Sequence, residues 1–167
     1  SQFGDAKLFK STSKVIKSVM NKVKQEFKDK RNIIVFLTAR ADFDSNSMFK
    51  DAFREQGLRV NDKRIMFELA GNLKFGTIPE KKKYIIAKKI KRHNPVSIKI
   101  YDDHRDNLDI AHDLAKKNPT IRFEKYLVKN ENTKRKNGHT FVSSYFHAFV
   151  IDFVFFGSSF SGLGFMS

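Results

Sequence analysis

Three groups of side chains fall in an order that suits phosphoryl chemistry. Thr38 ends the apolar run in FLTAR, three lysines stand together at Lys81, Lys82 and Lys83 behind Pro79, and Asp102-Asp103 follow an apolar run in YDDHRDN. A hydroxyl at a strand tip hydrogen-bonds a phosphoryl oxygen, and a lysine neutralises the charge on that group and on its attacker. Paired carboxylates supply hard oxygen ligands for Mg²⁺. Each feature also has an ordinary use: a Thr at a strand end closes a turn, a lysine-rich helix start is solvated, and Asp-Asp caps the next helix. Their common order is what singles them out. Lys81 stands four residues before Ile85 and Lys82 four before Ile86, so either lysine shares a side with a candidate core isoleucine.

The elements that must position these groups are legible in the hydrophobic pattern. Residues 5–29 place Val15, Val19, Met20, Val23 and Phe27 at helical spacing among lysines. Ile33 to Leu37 is a continuous β-branched run, the mark of a strand buried on both faces. A helix is expected from Ser45 to Gln56 with Gly57 ending it, then a short strand near residues 65–67. Pro79 opens a helix to about Arg92, a strand covers 96–101, a helix covers roughly 104–117, and a strand runs from Ile121 to Val128. Strands alternating with helices predict an α/β, Rossmann-like parallel sheet with helices on both faces. Such sheets bind ligands at the carboxyl ends of their strands, where Thr38 and Asp102 fall.

Residues 32–116 resemble the second half of a haloacid-dehalogenase-type (HAD) phosphohydrolase domain. FLTAR is similar to the family's second motif, the lysine to its third, and YDDHRDN to its acidic fourth. Within that family the sequence resembles the phosphatase domain of phage polynucleotide kinases, with an Arg two residues past the motif hydroxyl, and phage HAD-like proteins. The resemblance implies that Thr38, Ala39 and Arg40 bind the phosphoryl group, that Lys81 or Lys82 stabilises charge, and that Asp102 and Asp103 hold Mg²⁺. Asp106 is a further acidic position of the fourth motif. The implied activity is Mg²⁺-dependent hydrolysis of a phosphomonoester, with nucleic-acid ends or nucleotides as favoured substrates. The alternative is a non-catalytic basic α/β module that binds nucleic acid or a protein.

The family's first motif, a strand followed by Asp-x-Asp whose first Asp is the nucleophile, does not precede Phe36. Asp42-Phe43-Asp44 comes after the Thr motif, and its Asp44 with Ser45 reads as a helix start. The missing strand should lie between the strands at 33–37 and 96–101, so the expectation is an incomplete HAD-like domain, a fragment whose nucleophile lies upstream of Ser1 or is replaced by Asp152. A segment at 147–156 could fill that slot parallel to both neighbours, bringing Asp152 near Thr38 and Asp103, with Val154 where the second Asp would stand.

Composition sets the remaining bounds. Over 167 residues, 40% apolar content suffices for one ordinary core, and the absence of cysteine rules out disulfides and thiolate chemistry. Every Lys and Arg lies at or before Lys136, whereas residues 139–167 hold eight of the 18 phenylalanines and one charge, Asp152. This break divides the chain into a HAD-like domain at 1–138 and a Phe-rich tail at 139–167. The 16 residues from Phe141 to Phe156 fall short of the roughly 20 needed for a membrane helix, and the opening residues are too polar for a signal peptide, so a cytoplasmic protein is expected. A net charge of +15 favours polyanions, although lysines spread along the chain also describe a solvated surface.

Overall fold

A computed structural model describes residues 6–7, 17–42, 45–102, 105–127 and 149–154. Its elements are α1 (Lys17–Phe27), β1 (Asn32–Thr38), α2 (Asn46–Arg54), β2 (Ile65–Leu69), a 3-10 turn (Ala70–Asn72), α3 (Ile78–His93), β3 (Ser97–Asp102), α4 (Arg105–Lys117), β4 (Arg122–Leu127) and β5 (Phe149–Val154). The architecture is mixed α/β. Five strands form one sheet in the order β2-β1-β5-β3-β4, with β1 parallel to β2 and β3 parallel to β4.

Strand alternation sorts the core into two layers. Val35 and Leu37 of β1 and Ile98 and Ile100 of β3 pack with Ile85, Ile86 and Ile90 of α3 and Leu108, Ala111 and Leu114 of α4. Ile34 and Phe36 face the other way, against Met20 and Val23 of α1 and Phe49 and Phe53 of α2. Helices therefore cover both faces, as the continuous apolar strands require.

Local signals set the helix ends. Ser45 caps α2 by accepting from the Met48 N–H at 3.2 Å, and Gly57 just beyond takes φ +86°. Thr77 and Glu80 form a capping box at the start of α3, where Pro79 fits because its missing N–H has no intrahelical partner to lose. Asn94 ends that helix in the left-handed region at φ 44°.

The sheet departs from the all-parallel expectation at its centre. β5 fills the slot between β1 and β3 but runs antiparallel to both. Its register sets Phe149 beside Leu37 and Val150 beside Tyr101, while Asp152 lies beside Ile34 and Lys99. Asp152 is thus three residues, about 10 Å, back from the carboxyl edge. It is not delivered to Thr38, which overturns the parallel insertion. The physical reason is simple: an antiparallel strand satisfies the backbone groups of β1 and β3 as fully as a parallel one. The composition break near residue 139 lies outside the described residues, yet β5 beyond it is hydrogen-bonded into the same sheet.

Candidate functional site at the carboxyl edge of the sheet

Thr38 is the last residue of β1 and only 8% exposed. Its Oγ1 accepts the Arg40 N–H at 3.3 Å, so the hydroxyl first closes the turn that follows the strand. A hydroxyl carries one donor and two acceptor sites, which leaves its proton for a phosphoryl oxygen. The Arg40 carbonyl accepts the Gly71 N–H at 2.9 Å, and Asp42 and Asn72 exchange hydrogen bonds at 3.0 and 2.9 Å. A Cβ on Gly71 would lie 2.4 Å from the Ala41 nitrogen, so only glycine lets the 3-10 turn pack this closely on the loop of Thr38, Ala39 and Arg40. Burial pushes the half-buried Arg40 guanidinium down from its ordinary value, although an arginine so placed stays protonated at neutral pH.

The second half of the site is an ion pair withdrawn from water. Lys82 Nζ lies 3.5 Å from Asp102 Oδ2, both side chains being 0% exposed. Asn107 Nδ2 donates to the other carboxylate oxygen at 3.2 Å. Of the two lysines it is Lys82 that meets Asp102: Lys82 shares the buried side of α3 with Ile86, whereas Lys81 is half-exposed. Lys83 pairs with Asp113 of α4. Asp106 is exposed in the first turn of α4, and Asn107 supplies the contact to Asp102 instead. Asp103 and Asp44 lie outside the described residues.

Register places the two halves relative to one another. Leu37 and Asp102 are level across β5, with Thr38 one residue further out. Two strand spacings, about 10 Å, separate them. They occupy the same edge, although Thr38 follows the parity of Ile34 and Phe36 and Asp102 that of Ile98 and Ile100, so the halves rise from opposite faces.

Asp102 alone does not make a Mg²⁺ site. Its oxygens are engaged by Lys82 and Asn107, and among the described residues no group of three metal-ligating side chains is close enough to hold an ion. At the tip of the central slot stands the first residue of β5, Phe149, rather than the carboxylate that a family member carries there. Sequence reasoning missed Asn107 and Gly71. The signal for Asn107 was its position inside YDDHRDN, five residues past Asp102, where one helical turn brings an amide back to the strand tip. Gly71 had no such signal, because its role arises from a contact with a loop 30 residues earlier.

No family model, curated protein or solved structure matches the chain. Among the described residues no helix is long and apolar enough to cross a membrane.

Proposed function

We propose that this chain carries the phosphate-handling half of a HAD-type phosphomonoester hydrolase. The observation that supports this best is the buried Lys82–Asp102 pair at the same sheet edge as Thr38, because burial of a lone ion costs several kcal/mol and an unlinked surface lysine would not bear it. In this reading the Thr38 hydroxyl and the turn through Ala39 and Arg40 receive the phosphoryl oxygens. Lys82, oriented by Asp102, opposes their charge. Mg²⁺ would be the family's cofactor, and Asp102 with Asp103 are the residues that would hold it. The phosphorylated substrate class remains that of the resemblance, nucleic-acid ends or nucleotides.

A second reading, a basic α/β module that binds without catalysis, is favoured by one observation: β5 brings no carboxylate to the centre of the edge. The two are separated by measuring binding and turnover together. Phosphate binding followed by ³¹P NMR should weaken about tenfold or more in Thr38→Ala and in Lys82→Met, since hydrogen bonds to charged groups contribute roughly 1.5–3 kcal/mol. Hydrolysis of an aryl phosphate should be no faster than in a Thr38→Ala, Asp102→Asn control. Phosphate binding indifferent to both substitutions would leave the non-catalytic module standing. Turnover above the control would show that a nucleophile is present after all.

A further inference from the structure

A cleft with a volume of about 830 Å³ lies away from the Lys82–Asp102 pair, between the edge strand β2 and α3. Phe67 and Leu69 of β2 line one side of it with Leu73 and Ile85, and its α3 wall carries Tyr84, Lys88, Lys89, Lys91 and Arg92. Lys89 is taken by Glu68, leaving Lys88, Lys91 and Arg92 along the wall. Tyr84 is 44% exposed and Phe75 47%, and their rings meet edge to face at 5.3 Å between centroids. Lys88 Nζ stands 5.6 Å from the Tyr84 ring centre. Large aromatics left in water beside unneutralised cations have no reason in the core, which packs without them.

We propose that this cleft binds single-stranded nucleic acid, bases stacking on Tyr84 and Phe75 and phosphates following Lys88, Lys91 and Arg92. Residues 84, 88 and 91 recur on one side of a helix, and the rise from Tyr84 to Arg92 is about 12 Å, the length of roughly three stacked nucleotides. Four cations against the carboxylates of Asp42 and Glu68 set the sign of the ligand. Stacking on exposed aromatics beside a basic wall sets its class, because every base offers a ring face. The cleft also reaches the carboxyl edge: Leu69 in its lining is the register partner of Thr38 on β1. That a strand lying here would present its end to Thr38 rests on the phosphohydrolase reading; binding in the cleft does not.

The test is fluorescence anisotropy on the full chain with a labelled thymidine oligonucleotide of about 12 residues, lacking a terminal phosphate and without divalent cations, a length within the usual site size. Tyr84→Ala should lower affinity about tenfold, while Tyr84→Phe keeps it within about twofold. Lys91→Gln with Arg92→Gln should reduce the slope of log K against log salt by about 1.4. Lys117→Gln with Lys125→Gln, at the end of α4 and on the opposite edge strand β4, should leave both quantities unchanged. Circular dichroism confirms that each variant is folded. The proposal is overturned if Tyr84→Ala binds as the parent does, if the Lys117 and Lys125 pair matters as much as the cleft pair, or if polyaspartate displaces the oligonucleotide equally well, which would mark a surface for acidic protein. Since the assay uses neither metal nor phosphomonoester, oligonucleotide binding without phosphate binding at Thr38 would sustain the cleft and sink the phosphohydrolase reading, and the converse holds.

Discussion

Lys82 and Asp102 are mutually dependent because neither has water to fall back on. Lys82→Met should destabilise the protein by about 3–5 kcal/mol in urea denaturation, since it strands the Asp102 carboxylate in the interior. Pairing it with Asp102→Leu should restore much of that loss while phosphate binding stays weak. A double variant as unstable as the single one would mean that the lysine stem, rather than its charge, fills the space. His93 gives a second residue-scale expectation. Burial, then the nearby Lys89 and Arg92 charges, lowers its pKa from 6.5, so the folded state binds fewer protons than the unfolded one. Its stabilising share is complete above pH 6.5 and is lost as pH falls from there through the depressed folded value. His93→Gln should flatten thermal stability across that window, checked by melting curves at successive pH values.

At the scale of elements, α3 is the part on which both proposed sites depend. Its capping box presents Lys82 inward and the Tyr84–Arg92 wall outward from one rigid rod. Thr77→Ala should cost about 1 kcal/mol and speed amide exchange in the first turn, since Glu80 loses the Thr77 hydroxyl bond and keeps only the residue-77 backbone N–H, the larger of the two bonds that hold its carboxyl below the usual range. The loop after β1 is held differently, by close backbone contact. Gly71→Ala sets a Cβ 2.4 Å from the Arg40–Ala41 backbone and must push it away, so it should weaken phosphate binding more than Gly→Ala changes elsewhere, read from ³¹P titrations. An unaffected titration would show that the Thr38 loop holds its shape without the 3-10 turn.

For the whole molecule, β5 is the joint between two parallel strand pairs. Ile151 lies level with Val35 on one side and Ile100 on the other, so Ile151→Pro breaks the ladder at the middle of the sheet. Hydrogen exchange should then accelerate at Val35 and Ile100 together, with a loss of cooperativity in unfolding. If those amides stay protected while 149–154 exchange rapidly, the two pairs cohere through their helices alone.

Much of this was legible along the chain because it depends on nearest neighbours. The β-branched runs at 33–37 and 96–101, the Ser45 and Thr77 caps and the Pro79 helix start belong to segments whose local preference agrees with their place in the fold. The location of Thr38 and Asp102 at strand tips followed from the same pattern. Which lysine meets Asp102 did not, since Lys81 and Lys82 obey the same spacing rule and only the packing of α3 on the sheet distinguishes them. Strand direction was equally hidden. An apolar segment such as FVIDFV pairs with its neighbours in either sense, because the backbone donors and acceptors it offers are the same both ways, and the antiparallel choice removed Asp152 from the edge. The amino-acid sequence by itself determined the elements and the strand tips at which Thr38 and Asp102 fall. Tertiary structure decided which of them meet, since a contact between distant segments is a property of the packed sheet and of no single stretch of chain.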